Sequence, residues 1–193
     1  MQKNLIFSSL SILALSLVTA TAHAQWVVHA TAGTLKSINA QTKVLYVNGD
    51  DGTPAKFNTG LKSSDKFEFD PHLRSQTTPA TAYDKVGSHV VVFYYGYGTD
   101  LTAISVESLG DGTFTTVTGN VDKFDKHSRT LTIKTDKGTD ANFHVQDNAV
   151  IDTGTGVKEG TKFDPHKGDP VRVTYLASDK GDVQAVFVQR NGY

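Results

Sequence analysis

Asp152-Thr153-Gly154, running on through Phe163-Asp164-Pro165-His166 to Val171-Arg172-Val173-Thr174-Tyr175, decides the architecture because the chain states it twice. Asn58-Thr59-Gly60 leads at the same spacing to Phe69-Asp70-Pro71-His72, and a longer loop then separates that copy from Val90-Val91-Val92-Phe93-Tyr94. Upstream, Gly33 to Asn58 aligns without a gap onto Gly119 to His144. This pairs Gly33 with Gly119, Leu45 with Leu131, Asp50 with Asp136, Gly52 with Gly138 and Phe57 with Phe143. The second copy then carries an extra segment, His144 to Ile151, and the first copy carries its own insertion, Leu73 to Asp84. The register recovers at Asp100-Leu101-Thr102-Ala103 and Asp182-Val183-Gln184-Ala185. A duplication on this scale is one supersecondary unit used twice.

Within each copy the hydrophobic period is two. Val117 to Val121, Leu131-Thr132-Ile133, Phe143-His144-Val145 and Val171 to Tyr175 all alternate. Turn residues separate them at Asn39-Ala40-Gln41, Asp50-Asp51-Gly52, Asp136-Lys137-Gly138 and Asp179-Lys180-Gly181-Asp182, and the Asp-Gly and Lys-Gly pairs among them supply the positive φ of tight hairpins. No sustained helical stripe follows the first 24 residues. The expectation is an all-β chain of two tandem five-stranded OB-like small β-barrels, each closed to remove exposed edges. Their boundaries fall at residues 25–109 and 110–193, joined through Gly110-Asp111-Gly112.

The order of these features resembles a family of bacterial extracytoplasmic domains of unknown function with an OB-like small barrel. The residues that carry the resemblance are Gly119-Asn120-Val121, Leu131-Thr132-Ile133, Phe143-His144-Val145, Gly168-Asp169-Pro170-Val171-Arg172-Val173-Thr174-Tyr175 and Ala185. The first copy departs from the pattern, with Gly87-Ser88-His89 in place of Gly-Asp and a third strand cut short after Phe57. The resemblance implies a fold and a compartment and brings no catalytic residues.

Residues 1–24 read as a cleaved signal peptide. Lys3 supplies the basic start, Leu5 to Val18 the apolar core and Ala22-His23-Ala24 the cleavage site, with Gln25 the expected mature N-terminus. The apolar run is too short and serine-rich to span a bilayer of about 30 Å. The protein is therefore expected to be periplasmic or secreted and not membrane-spanning. The formal charge of −1 on the whole chain provides no basic footprint for nucleic acid. The absence of cysteine removes a thiol nucleophile, a disulfide and a thiolate metal site. The only methionine is Met1, so thioether copper sites are excluded as well.

Three constellations are candidates for function. Val150-Ile151-Asp152-Thr153-Gly154 resembles the signature of aspartic proteases, whose mechanism needs two carboxylates sharing a proton. The first copy offers only Asn58 there, and a turn in which Asp152 accepts local backbone N–H groups accounts for the residues. The repeated loops place Asp70, His72, Asp164 and His166 in equivalent positions. Two carboxylates and two imidazoles would suit a divalent ion such as Zn²⁺ held between the copies, provided the loops converge. Otherwise the Asp caps a turn, the Pro sets φ and the His is exposed. Phe93, Tyr95 and Tyr97 lie in the densest aromatic run, and an exposed face of such rings on a small barrel is a stacking platform for a ligand.

Ser88 and His89 would point to opposite faces of a strand and cannot pair directly. No nucleophile elbow, metalloprotease helix or phosphate loop occurs. These readings together describe a non-enzymatic binding or structural module without a cofactor. Its partner would be a protein, a glycan or a small molecule and not nucleic acid. The alternative is a small-ligand or divalent-metal-binding protein using the Asp-Pro-His loops.

Overall fold

The computed structural model describes residues 25–177 and 183–190; the predicted signal peptide and the turn expected at Asp179 to Asp182 lie outside the described residues. The first sheet contains β2 (His29–Asn39), β3 (Val44–Gly49), β4 (Pro54–Asn58), β7 (His89–Tyr97) and β8 (Asp100–Ser108). β2 pairs antiparallel with both β3 and β7, β3 with β4, and β7 with β8. A parallel bridge from Asn58 to Thr102 closes the ring.

The second sheet repeats this order with β9 (Phe114–Asp125), β10 (Thr130–Thr135), β11 (Asp140–Asp152), β13 (Pro170–Ala177) and β14 (Val183–Arg190). It closes through a parallel β11–β14 pair. The chain is thus all-β, with two closed five-stranded barrels in tandem in the OB-like order.

The matching glycines have a steric cause. A Cβ on Gly33 would overlap the carbonyl of Asn48, and one on Gly119 would overlap the carbonyl of Lys134. Both sit where the first strand of a barrel crosses tightly over the second, next to a register shift at Leu35/Ser37 and at Thr132/Ile133. Bulges of this kind supply the curvature that lets a five-stranded sheet close.

Each insertion in the repeat has a structural task. In the first copy Leu73 to Asp84 supplies the end of α1 (Pro71–Ser75) and β6 (Thr78–Pro79), which pairs with β8. It also delivers Ala80 and Tyr83, which pack into the interior of the first barrel with Leu35, Leu45, Phe57 and Val92. In the second copy the extra residues lengthen β11 past a register shift, so that Val150–Asp152 continue alongside Phe187–Gln189. There β11 also pairs with β12 (Val157–Glu159).

Alternation along β7 sends Val90 and Val92 into the first barrel and Val91, Phe93 and Tyr95 to its outer face. That outer face is not solvent. It forms a third core with Val28, Ala30, Ala32, Phe69 and Leu73 from the first copy and with Val150 and Phe187 from the second. β1 (Trp26–Val27) and β5 (Phe67–Glu68) make a short parallel pair that lays Trp26 and Phe67 over the same face. The expectation of an exposed platform at Phe93 and Tyr95 is corrected here. Phe93 is 0% and Tyr95 4% exposed, because a β-barrel whose outer face is apolar gains more by covering that face than by leaving it in water.

Candidate functional site between the barrels

Across the boundary β2 meets β11 and β14, and β13 reaches the turn after β3 at Asp50 and Asp51. Alternation again explains which side chains arrive there. On β13, Val171 and Val173 fill the second barrel, so Arg172 and Thr174 point outward to the first.

Thr174 is fully buried and donates to Asp50 Oδ2 at 2.6 Å. His89 Nε2 lies 3.2 Å from the same oxygen, and the His89 ring stacks on Phe114 with centroids 4.6 Å apart. Burial pushes the Asp50 carboxyl up, but the hydrogen bonds from His89 and Thr174 outweigh it and hold the group below its ordinary value.

Asp152 is the second bracket. Its Oδ1 accepts the Gly154 N–H at 2.8 Å, which is the local turn expected for Asp-Thr-Gly. Its Oδ2 accepts the Ala30 N–H at 3.0 Å and lies 3.5 Å from His29 Nδ1. The hydrogen bond to Asp152 raises the His29 pKa against the opposing effect of burial. Asn58, the counterpart of Asp152, instead makes an exposed 3.4 Å contact to Asp100, so the copies place no pair of carboxylates face to face at these positions.

Beside these brackets lies a cleft of about 1010 Å³ with walls from both barrels. Val27, His29, Asp51, Tyr94 and Tyr97 line one side, and Asp152, Gly154, Arg172, Gln189 and Arg190 the other. Arg172 donates to Gln189 Oε1 at 2.9 Å and stands 3.8 Å from Asp51. Arg190 donates to Asp169 Oδ1 at 2.6 Å. The Tyr94 hydroxyl is pushed up to about 12, first by burial and then by the charges of Asp152 and Asp51, so it remains a donor. Tyr97 is 77% exposed at the rim, its ring centroid 5.5 Å from that of Trp26. Of the three aromatic residues expected to form a platform, Tyr97 alone is placed to meet a ligand.

The Asp-Pro-His loops behave differently from each other. Asp70 caps α1 by accepting the His72 N–H at 2.9 Å, with Pro71 in the first turn, an arrangement that proline favours. Asp70 also accepts from Lys162 Nζ at 2.7 Å, a contact that holds its carboxyl below the ordinary range. His72 lies 3.8 Å from Glu159. The first loop therefore reaches the second copy just ahead of Asp164.

Asp164, however, pairs with Lys126 at 2.9 Å, and His166 lies 3.8 Å from Asp169. The expected convergence of Asp70, His72, Asp164 and His166 is corrected: each is engaged by a different neighbour. Among the described residues no group of three His, Cys, Asp or Glu side chains is placed to hold a metal ion.

Sequence reasoning did not single out His29, Asp51, Tyr94, Arg172, Gln189 or Arg190 as site residues. Arg172 and Thr174 read as the polar half of an alternating strand, and nothing local says that this polar face meets another barrel. The one signal was the extra segment before Asp152, which lengthens β11 toward the first copy.

No protein-family model matches the chain, and a comparison with curated proteins finds no match. Among solved structures, drosophila Unr CSD456 aligns over 84% of this chain and 63% of its own length, at 12% identity and a TM-score of 0.28. The two closed barrels are defined by the strand pairing itself. Among the described residues no helix is long and apolar enough to cross a membrane.

Proposed function

We propose that this protein is a non-enzymatic binding module acting in the periplasm or outside the cell, a tandem member of the extracytoplasmic OB-like barrel group its strands resemble. Its ligand occupies the cleft between the barrels. The observation that carries this reading is the shared core of Phe93, Tyr95, Val150 and Phe187, which makes the two walls parts of one packed body. Such a cleft keeps its shape without a ligand, and preorganisation of this kind lowers the cost of binding. Its volume lies at the upper end of the roughly 300–1,000 Å³ typical of small-ligand sites.

A thermal-shift screen of the mature chain against small metabolites, short peptides and oligosaccharides tests the proposal. At least one compound class raises Tm, and Tyr97→Ala abolishes that rise while leaving the unliganded Tm within about a degree, as expected for an exposed side chain. Ligands whose effect survives both Tyr97→Ala and Arg172→Gln would move the site elsewhere. Chemical turnover of a bound compound would replace the non-enzymatic reading. Recovery of the chain in the cytoplasm, still carrying residues 1–24, would remove the proposed compartment.

A further inference from the structure

Among the described residues, each cation that lines the cleft already stands beside a carboxylate. His29 stands 3.5 Å from Asp152, Arg172 3.8 Å from Asp51, and Arg190 2.6 Å from Asp169. An anionic ligand would compete with these carboxylates for the guanidinium groups, and a cationic one would compete with the arginines. A ligand made of hydroxyls avoids that conflict, since each hydroxyl both donates and accepts.

Paired ions offer N–H donors and carboxylate acceptors side by side. Among the described residues, Arg172 commits one N–H to Gln189 and Arg190 one to Asp169 at hydrogen-bonding distance. A guanidinium carries five such donors in a fixed plane. Gln189 holds Arg172 in place and itself donates to the Ala30 carbonyl at 3.4 Å. These planar donors are therefore positioned before any ligand arrives.

The rim supplies the complementary surface. Tyr97 and Val27 are 77% and 42% exposed, and Trp26 lies beside Tyr97. A sugar ring has an apolar C–H face and a polar edge, and it matches a site with aromatic rings at the rim and fixed hydrogen-bonding groups on the walls.

We infer that the cleft binds an uncharged oligosaccharide, with a sugar ring stacked on Tyr97, whose ring packs beside Trp26, and hydroxyls held by Arg172, Arg190 and Asp51; this rests on the cleft being the ligand site. Single-stranded nucleic acid would also use aromatic rings and arginines, but its phosphates need unmatched positive charge, and the cleft has none among the described residues.

Trp26 is the only tryptophan in the chain and its ring centroid lies 5.5 Å from that of Tyr97, so its emission reports on a ligand seated against Tyr97. The mature chain is titrated with neutral oligomers of glucose, galactose, mannose, xylose and N-acetylglucosamine, and in parallel with oligogalacturonate and single-stranded oligothymidylate. At least one neutral oligomer shifts Trp26 emission, with a Kd that changes less than about twofold between low and high salt because no counterions are released. Tyr97→Ala and Arg172→Gln each weaken it at least about tenfold, roughly the loss of one stacking or charge-assisted contact, with unchanged circular dichroism.

The inference is overturned if no neutral oligomer shifts Trp26 emission. It is equally overturned if only oligogalacturonate or oligothymidylate does so with steep salt dependence. When those charged responses vanish in Tyr97→Ala the cleft remains the site and only the ligand class is wrong; when they persist, both readings fall. A response from no probe at all removes the saccharide and leaves the cleft to the thermal-shift screen.

Discussion

The carboxylate of Asp152, on the second barrel, accepts the backbone N–H of Ala30, on the first, at 3.0 Å. It does so while 3% exposed and while also accepting the Gly154 N–H. One side chain therefore shapes its own turn and fastens it to the other copy. Replacing Asp152 with Ala leaves two backbone donors without acceptors. A charge-assisted hydrogen bond is worth about 1.5–3 kcal/mol, and the expected loss in a urea unfolding curve is about 3 kcal/mol. Asn58→Ala, at the equivalent but exposed position, should change stability by no more than about 0.5 kcal/mol. Equal effects at the two sites would show that the Asp152 bracket adds nothing.

His29 makes that bracket sensitive to pH. Its folded pKa is raised above 6.5 by the hydrogen bond and charge of Asp152, so the folded state binds the proton more tightly than the unfolded state does. The stabilisation is fully present below 6.5 and is lost as pH rises through the folded pKa. Unfolding curves for the native chain and His29→Gln should therefore be furthest apart in mild acid and converge in alkali. A gap that widens with pH would reverse the assignment.

Glu107 works in the opposite direction. Burial raises its carboxyl to about 7, and its Oε2 atom has no hydrogen-bond partner among the described residues. An acid with a raised folded pKa costs no stability below its ordinary 4.5, costs progressively more as pH climbs, and reaches its full penalty above about 7. Glu107→Gln should accordingly be close to neutral in acid. At pH values above that range it should stabilise by up to about 3 kcal/mol, because a tenfold change in proton affinity between folded and unfolded chain corresponds to about 1.4 kcal/mol. A pH-independent effect of this substitution would contradict the burial argument.

Phe187 belongs to the second barrel yet is 1% exposed within the core it shares with Phe93. Truncating a buried Phe to Ala typically costs about 3–5 kcal/mol. Because the cavity would open between the barrels, Phe187→Ala should weaken both together. In the native chain, Trp26 emission and amide exchange along β9 and β10 should report one coincident transition. Separate midpoints in the native chain would mean that the barrels fold as independent units.

Local chemistry made much of this fold legible. Alternation at Val90 to Tyr94 and Val171 to Tyr175, the glycine turns and the matched Gly33 and Gly119 are short-range signals, since a strand's side-chain period and a tight crossing are properties of a few neighbouring residues. They determine two barrels of one design and even sort Phe93 and Tyr95 onto one face of β7. What lies on that face is another matter. An outward aromatic row is the same in sequence whether it meets a ligand, water or the other half of the chain.

Only the tertiary structure decided that Val150, Phe187, Trp26 and Phe69 cover it, and that Tyr97 alone remains outside. The Asp-Pro-His loops teach the same lesson. Identical residues acquire different partners, Lys162 for Asp70 and Lys126 for Asp164, because the second copy is not in the same surroundings as the first. Docking two barrels buries one face of each and leaves the polar strand positions at its edge, Arg172, Gln189 and His29, to form a cleft. Contacts between residues more than a hundred positions apart, such as Asp152 with Ala30, depend on how the finished barrels pack, and no local pattern carries that information.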